Sequence, residues 1–570
     1  MGVKTHIPPT QTMHGPVQHQ KIPALMTVAA ALAGAILGLF EIANTSIGWH
    51  LASGDWILQH RAFLRSDPFS FTSGGTPWID HEWLFQVGAS IAYSLGGSTA
   101  LVSLRAIIVA VLAALLFVIS LRSGLVPAVA LVFSVACVAA ARGRFFVRPE
   151  LITLVIVPAA VWLFITRKQR KPAAWLFSLA ALMVVGANAH GGVLVVPPLL
   201  AGVLIAEVAE MALRGRWQTE DVLRGLGGVA ASTTALLLNP YGWRFLTVPF
   251  HLAQLVRLDH IPNPEWASPS LAQSPFFYAT LMVSAIVLAL RERRLAYWAL
   301  WLMISVLALR HIRNVGLFFV LLPIAGAPAL ATWRTLSPGK IRSSHGWRRA
   351  DLLAVIAVAV LVFSLVIAPQ PRFGSGFAEG YYPDSACAFL DAEGLPNAQL
   401  YNDVRFGGYL IHRYFPQRLV FQDDRNEIHE PLLRRIWDIF QASDVVAWTD
   451  MLDGYGADTA LVRYHSPIRV TDPMGNDLGV RGFSALWFPA DKWALVYWDD
   501  IAMVFVRRNA LPTEWFEDHE YRVVRPDDLS HLAALLATDE GMRAEVAREL
   551  QRASNINGGS RALAIQRLIQ

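Results

Sequence analysis

The sequence predicts an α-helical, polytopic membrane protein with a C-terminal α/β domain outside the cytoplasm. The chain has 570 residues, of which 54% are hydrophobic and only 16% are charged. Apolar stretches recur through the first two thirds, at about the 17–25 residues that a helix needs to cross a bilayer. The last two hundred residues carry more charge and alternate short strand-like and helical patterns, which is typical of a globular module.

Eleven membrane spans are predicted, and one further apolar stretch, residues 83–97, is short enough to fit a helix at the membrane surface. The spans are residues 23–42, 99–121, 124–141, 151–166, 173–188, 192–213, 221–238, 276–290, 295–309, 314–332 and 351–368. The chain therefore divides into a cytoplasmic N-terminal tail (1–22), a membrane domain (23–370) with a long outer loop (43–98), and an α/β domain (371–570).

Basic residues orient these spans. Clusters at 167–171, 214–224, 291–294 and 340–349 all fall on one side of the membrane. By the positive-inside rule this side is the cytoplasm. An odd number of spans then places the C-terminal domain on the outer face, the periplasm of a bacterial inner membrane. The net charge of +5 reflects this topology and does not indicate nucleic-acid binding.

Several enzyme classes are excluded at this level. The two cysteines, Cys137 and Cys387, argue against a disulfide framework and against a cysteine-based metal site. The sequence contains no Walker loop, no GxGxxG after a strand, no HExxH and no GxSxG elbow. Nucleotide hydrolysis, dinucleotide binding, zinc proteolysis and α/β-hydrolase chemistry are therefore not indicated.

Carboxylates and imidazoles concentrate around the outer loop. The carboxylates are Glu41, which closes the first span, Asp55, Asp80 and Glu82. A carboxylate beside low-dielectric lipid has a raised pKa, which suits a general base that accepts a hydroxyl proton. Asp80 and Glu82, with His50 or His81, could instead hold a divalent cation such as Mg²⁺ or Mn²⁺. Helix capping is the structural alternative for Asp80 and Glu82.

Other residues of this loop have simpler interpretations. Asp67 lies in Ser66–Asp67–Pro68, a turn signal, and is expected to form a turn or helix cap. Four tryptophans follow one another through the loop: Trp49, Trp56, Trp78 and Trp83. They are expected to form an interfacial belt, although tryptophans also stack on sugar rings.

Five arginines on the outer face oppose the charge bias that orients the chain: Arg142, Arg144, Arg148, Arg310 and Arg313. Each would cost roughly 2.5–3.5 kcal/mol in mid-bilayer on insertion scales, so they must lie at the surface, in a wet cavity or against an anion. Their convergence predicts a phosphate site. Snorkelling to headgroups is the alternative. Arg105, alone inside a span, is expected to snorkel or to join two helices.

Two motifs break helices on the same face. They are Asn188–Ala189–His190–Gly191–Gly192 and Asn239–Pro240–Tyr241–Gly242–Trp243. Such backbone is tolerated at membrane depth where it lines protein or a water-filled cavity. Both motifs are therefore expected to line the same pocket as the outer loop. The alternative for His190 is that it is simply packed against its neighbours. Glu265–Trp266 is a weaker candidate.

The C-terminal domain is predicted to be a small α/β module. Strands at 399–404 and 418–422 flank a helix at 408–414. Further strands are expected at 458–463 and 493–507, the latter a hairpin that turns near Asp499–Asp500. Residues 528–570 are predicted to be helical and amphipathic.

A combination of motifs resembles a group of bacterial membrane proteins with the GT-C glycosyltransferase superfold. These motifs are GWHLASGDWI, DPFSFT, PWIDHEWL, RPE, NAHGG, NPYGW and RHIRN, then GGYLIHRYFP and VFQDDR, over most of residues 40–430. GT-C enzymes take a sugar from a polyprenyl-phosphate carrier. The resemblance implies an acidic site at Asp55, Asp80 and Glu82, with His50 after the tryptophan.

One departure from that group concerns the first acidic residues. Similar sequences usually carry an aspartate pair just before the Trp-His dipeptide, where this chain has Asn44, Thr45 and Ser46 after Glu41. Either Glu41 or the Asp80 and Glu82 pair takes over as base or metal ligand, or activity is lost.

The sequence thus predicts an inner-membrane transferase that moves a sugar from a polyprenyl-phosphate donor to a lipid, glycan or protein acceptor. Asp80 or Glu82 would deprotonate the acceptor, and the arginines would bind the donor phosphate. The predicted substrate-binding residues are His50, His81, Arg144, Arg148, Glu150, Asn188, His190, Asn239, Tyr241, Arg310, His311 and Arg313. The alternatives are a transporter or flippase of lipid-linked saccharides, and an inactive assembly subunit of an envelope polysaccharide system.

Overall fold

The structure is a computed structural model. It describes residues 22–569 except 258–263, 333–343, 369–370, 472–476, 530–531, 534–535, 537–540 and 558, so the predicted tail up to residue 21 lies outside the described residues. The chain forms two compact units. The first, here called the helical unit, contains Met1–Glu41, Thr99–Leu246 and Asn263–Ser375. The second, the mixed unit, contains Ile42–Ser98, Thr247–Pro262 and Gly376–Gln570.

Long apolar helices make up the helical unit. They are α1 Ala24–Leu37, the second half of α3 Trp83–Arg122, α4 Pro127–Ala140, α5 Glu150–Ile165, α6 Pro172–Ala189, α7 Val196–Leu213, α8 Thr219–Ala235, α10 Pro275–Arg291, α11 Leu295–Arg310, α12 Val315–Ala331 and α13 Ser344–Val366. Proline occupies the first turn of α4, α6 and α10, where its missing N–H costs no hydrogen bond. All eleven predicted spans therefore coincide with helices.

These helices fall into groups that differ in length and in composition. Among the described residues, five helical segments are long and apolar enough to cross a membrane: Trp83–Arg122, Pro172–Ala189, Gly191–Leu213, Ile312–Ala331 and Arg349–Val366. Five others are apolar but shorter: Ala24–Leu37, Pro127–Ala140, Glu150–Ile165, Pro275–Arg291 and Leu295–Arg310. Helix α8, the predicted span 221–238, belongs to neither group because glycine, serine and threonine dilute its apolar residues. The eleven-span topology stays a prediction.

Small residues let the helices of this unit approach closely. A Cβ on Gly34 would lie 2.6 Å from the carbonyl oxygen of Val109, so α1 packs directly on α3. Arg105, fully buried in α3, donates from Nε to the carbonyl oxygen of Gly38 at 2.7 Å and from its guanidinium to that of Phe40. It therefore satisfies backbone carbonyls just beyond the end of α1, which confirms the inter-helix role.

A glycine pair interrupts α3, which runs over Trp83–Arg122. Gly96 and Gly97 have non-helical backbone angles, and Gly97 has a φ of +60° that L-residues rarely adopt. The predicted surface helix 83–97 is thus a separate helical stretch, which continues after the kink into the apolar half of α3.

Short helices surround a small sheet in the mixed unit. The helices are α2 Ile47–His60, the first half of α3, α9 Val248–Arg257, α14 Asp384–Ala392, α15 Val404–Tyr414, α16 Glu430–Ala442, α17 Val445–Gly454, α18 Phe483–Trp487, α19 Thr513–His519, α20 Met542–Asn557 and α21 Ser560–Ile569. The strands are β1 Gln399–Asn402, β2 Ala457–Arg463, β3 Ile468–Thr471, β4 Asp477–Arg481, β5 Trp493–Trp498 and β6 Ala502–Arg507.

The main sheet has the order β1-β2-β6-β5, with β1 and β2 parallel and the other pairs antiparallel. The predicted α/β module and its hairpin near Asp499–Asp500 are therefore confirmed. The predicted strand at 418–422 is wrong, since only Val420 forms a bridge, to Ser70 of the outer loop. The separate β3–β4 hairpin was not predicted.

Glycines of two motifs bring α2 against α15. A Cβ on Gly48 would collide with the carbonyl oxygen of Gly408, and one on Gly408 with that of Thr45. The backbones therefore touch where any side chain would separate them. The GWH and GGYL motifs are adjacent in the mixed unit for this reason.

Candidate active site

Glu82 lies between two imidazoles of the mixed unit. Its Oε2 is 3.8 Å from Nδ1 of His50, and its Oε1 is 3.7 Å from Nε2 of His81. Nδ1 of His81 bonds the carbonyl oxygen of Ile79 at 3.1 Å, which fixes the ring. Glu82 thus lies near both histidines, which the sequence had offered as alternatives beside Asp80 and Glu82. Among the predicted catalytic carboxylates of the outer loop, Glu82 combines these neighbours with 16% side-chain exposure.

Burial controls the protonation of this group. It lowers the pKa of His81 to about 4, so the ring is neutral at pH 7. Asp80 is 1% exposed, and burial raises its pKa to about 7, against the opposing effects of a hydrogen bond from Gln86 and the charge of Arg425. The bond from Gln86 Nε2 to Asp80 Oδ1 is 2.6 Å. Asp80 is thus a carboxyl group enclosed by protein, and Glu82 is the better placed of the two to touch a substrate.

The other two predicted catalytic carboxylates have local partners. Asp55 is exposed on α2 and accepts a hydrogen bond from the hydroxyl of Ser90 on α3. Glu41 belongs to the helical unit, where its backbone N–H donates to the carbonyl oxygen of Arg372 at 3.1 Å. Its side chain packs near Gly374.

A buried ion network joins the outer loop to the VFQDDR motif. Arg425 pairs with Asp67 at 2.9 Å and with Asp423 at 2.5 Å, and all three side chains are 0% exposed. Nε2 of His429 lies 3.0 Å from Asp423, and its Nδ1 lies 3.0 Å from the hydroxyl of Ser73. Arg425 and His429 hold the pKa of Asp423 far below its usual range despite burial. These groups therefore stabilise the mixed unit.

Asp67 also forms the predicted turn. Its carboxylate accepts from the backbone N–H groups of Phe69 and Ser70, each at 3.1 Å. The ion pair with Arg425 was not predicted, because the two residues are far apart in sequence and carry no shared pattern.

Two of the four tryptophans depart from the expected interfacial belt. Trp49 and Trp78 are buried around the guanidinium of Arg425, whose Cζ lies 5.8 and 4.8 Å from their ring centroids. Trp49 Nε1 also donates to Asp424 at 2.7 Å. Trp56 stacks on His60 and Trp83 packs against Phe63. Trp49 and Trp78 therefore belong to the core of the mixed unit, where their rings stabilise the buried guanidinium of Arg425 through cation–π contacts.

Asp80 is held by hydrogen bonds from the side chain of Gln86, through Oδ1, and from the backbone of Glu82. No cluster of three or more His, Cys, Asp or Glu side chains suited to a metal occurs among the described residues. The Mg²⁺ or Mn²⁺ site at Asp80 and Glu82 stays a prediction.

Arginines and glutamates of the helical unit form a second cluster. Arg144 grips Glu150 with two hydrogen bonds, of 3.1 and 2.5 Å, and lies 3.4 Å from Glu265. Arg148 pairs with the same Glu265 at 3.0 Å. Burial would raise the pKa of Glu265, but Arg144, Arg148 and Arg313 lower it below the usual value. The structure thus brings together three of the arginines predicted to bind phosphate.

The remaining outer arginines differ in their surroundings. Arg142 donates to the carbonyl oxygens of Leu37 at 3.4 Å and Leu365 at 3.1 Å, so it caps the ends of α1 and α13. Arg310 is exposed, and its backbone carbonyl accepts from Ser268. His311 Nδ1 lies 2.8 Å from the carbonyl oxygen of Trp266.

The helix-breaking motifs have local structural roles. Asn188 donates to the carbonyl oxygens of Val184 and Leu238, both at 2.8 Å, and so ties the ends of α6 and α8. His190 accepts from the N–H of Gly192 at 3.1 Å and bonds Thr153 at 2.7 Å, consistent with the packing alternative. Asn239 and Tyr241 form a turn in which the side-chain Oδ1 of Asn239 accepts from the backbone N–H of Tyr241 at 2.8 Å. Their shared pocket with the outer loop stays a prediction.

No protein-family model matches this sequence, and no curated protein matches it. Among solved structures, the chain is similar to the apo crystal structure of the Archaeoglobus fulgidus oligosaccharyltransferase, with a TM-score of 0.54 and 12% sequence identity. The match covers 92% of this chain and 85% of that chain. At this identity the likeness shows the fold alone. The chain thus has a fold similar to that of this oligosaccharyltransferase, mostly helical with a small C-terminal sheet domain.

Proposed function

We propose that the chain is a membrane glycosyltransferase that moves a sugar from a polyprenyl-phosphate donor to a lipid, glycan or protein acceptor at the periplasmic face of a bacterial inner membrane. The observation that carries the proposal is the Glu82 group of the mixed unit, in a chain whose fold is similar to that of an oligosaccharyltransferase. The arginine cluster of the helical unit supports the proposal separately, as a candidate phosphate site.

Glu82 takes the role of general base. Its carboxylate accepts the proton of the acceptor hydroxyl as that oxygen attacks the anomeric carbon. The bond from the anomeric carbon to the phosphate oxygen breaks in the same step, so the configuration inverts. Asp80, enclosed by protein, acts as a positioning residue that holds Gln86 and the start of α3.

The leaving group is polyprenyl phosphate, which departs with the bonding electron pair. Arg148 and Arg313 would stabilise its negative charge, since guanidinium groups match phosphate geometry. Glu265 pairs with Arg148 at 3.0 Å, and the charge of Arg313 also lowers the pKa of its carboxyl, so both arginines act on one anionic group. Arg144 is committed to Glu150 by two hydrogen bonds and supports the cluster.

One experiment tests the catalytic assignment without knowledge of the sugar. A deletion strain is complemented with wild type, Glu82→Gln, Asp80→Asn or Glu514→Gln, and its glycans and lipids are compared by mass spectrometry. Glu514 is exposed on α19 and serves as the matched control. Wild type and Glu514→Gln should restore one missing sugar. Glu82→Gln should fail, because loss of a general base slows the reaction about 10²–10⁴-fold.

A catalytically inactive assembly subunit is the second candidate. It is favoured by the enclosure of Asp80 and by Asn44, Thr45 and Ser46, which stand where similar sequences carry an aspartate pair. Full restoration by a stably expressed Glu82→Gln variant would support this candidate and contradict the enzyme.

A further inference from the structure

A small pocket opens in the mixed unit, away from Glu82 along the chain. Residues from the start of β1, the end of α15 and the turn after α15 line a volume of about 240 Å³. This is below the roughly 300–1,000 Å³ of drug-sized ligand sites, so it suits a single ring.

The pocket is amphipathic. Leu400 and Leu410 are buried and form an apolar floor, and Leu419 is 37% exposed at its edge. Tyr414 forms a wall, with its hydroxyl bonded to Asp391 Oδ1 at 2.8 Å. The tyrosine ring is therefore fixed before any ligand binds.

Arg418 supplies hydrogen-bond donors at the rim. Its Cζ lies 4.9 Å from the Tyr414 ring centroid, and its Nη1 lies 3.6 Å from Asp391, beyond hydrogen-bond distance. Nη1 is buried and has no hydrogen-bond partner among the described residues. A buried donor without a hydrogen-bond acceptor costs free energy unless a ligand or a water molecule accepts its hydrogen bond. The carboxylate of Asp391 offsets the charge of Arg418, so the rim does not favour an anion.

Two amides complete the rim. Gln399 and Gln417 are exposed, and each side chain offers both donors and acceptors. A pyranose ring presents the complementary surfaces: hydroxyl groups that donate and accept, and an apolar C–H face. We infer that this pocket binds one sugar residue of a glycan, resting on the proposed glycosyltransferase function for the source of that glycan.

Saccharide binding tests the inference directly. Full-length protein in lipid nanodiscs is titrated with soluble gluco-, manno- and galacto-oligosaccharides, with saturation-transfer NMR as the readout. The variants are Arg418→Ala and Gln417→Ala, and the matched controls are Arg405→Ala on α15 and Gln551→Ala on α20, both exposed. The pocket variants should weaken binding about five- to tenfold, as loss of one hydrogen bond predicts, and the controls should leave it unchanged.

Absence of saccharide binding by wild type, or equal binding by the pocket variants, would overturn the inference. A sugar-transfer assay on the same samples keeps the two proposals apart. Binding without any transfer would remove the proposed function and leave a sugar-binding site. If the pocket variants raise the KM for the acceptor alone, relative to wild type, the bound glycan is the acceptor. If they raise the KM for the lipid-linked donor alone, it is the donor.

Discussion

Two clusters of arginine and carboxylate differ in burial and in the sign of their excess charge. In the mixed unit, two carboxylates surround Arg425, and all three side chains are 0% exposed. In the helical unit, Arg144, Arg148 and Arg313 meet two glutamates, whose side chains are 13% and 34% exposed. A fully buried cluster holds a fold together, whereas a cationic excess with partial exposure leaves room for an anion. The same residue types thus serve stability in one unit and predict binding in the other.

The buried cluster should give the largest stability change. Replacement of Arg425 by methionine leaves Asp67 and Asp423 without their counter-charge in a dry environment. We expect the free energy of unfolding to fall by about 3–5 kcal/mol, the usual cost of breaking a buried ion pair. Denaturant or thermal unfolding of the purified chain measures this.

Arg435→Met is the matched control, because Arg435 is exposed on α16. A loss of stability of similar size in both variants would show that the buried network has no special role. A double-mutant cycle with Asp67→Asn separates the pair interaction from packing, since Arg425 also lies against three aromatic rings.

Asp80, near Arg425, should make the free energy of unfolding depend on pH, by a few kcal/mol. Burial raises its pKa from 3.8 to about 7, so the native state favours the protonated carboxyl. Its contribution to stability is therefore complete below pH 3.8 and is lost as the pH rises through about 7. Compared with Asp80→Asn, wild type should lose stability across this window and then remain at a constant deficit.

Unfolding measured at several pH values checks this prediction. Asp438→Asn, at an exposed position of α16, reports the effect of removing a surface carboxylate. A pH-independent difference between wild type and Asp80→Asn would mean that the pKa of Asp80 is the same in the native and unfolded states, against the prediction.

Local patterns predicted most of the fold. Hydrophobic runs located every helix of the predicted spans, and β-rich segments located β1, β2, β5 and β6. They do not by themselves establish a membrane span, as α8 shows: it is helical as predicted, but it is not among the described helices that are long and apolar enough to cross a membrane. The strand predicted at 418–422 failed because its pairing partner, Ser70, lies in a distant loop.

The sequence predicted which residues belong to the candidate site better than it predicted how they are arranged. The grouping of Glu82 with His50 and His81 followed from their closeness in one loop. The enclosure of Asp80 depends on Gln86 and on Arg425, which is hundreds of positions away, so no local signal indicates it. Glu265 was a weak candidate in the sequence, yet its carboxylate joins Arg144 to Arg148.

The exposed cluster should give the smallest stability change and the clearest effect on function. Arg148 is 25% exposed and forms its ion pair with Glu265, which is 34% exposed, so Arg148→Ala should cost no more than about 1 kcal/mol. If the cluster binds the donor phosphate, loss of one charge-assisted contact should raise the KM for a polyprenyl-phosphate sugar about tenfold or more. Arg216→Ala, at an exposed position of the helical unit, should leave both quantities unchanged. A large loss of stability with an unchanged KM would place this cluster in the same structural class as the one around Arg425.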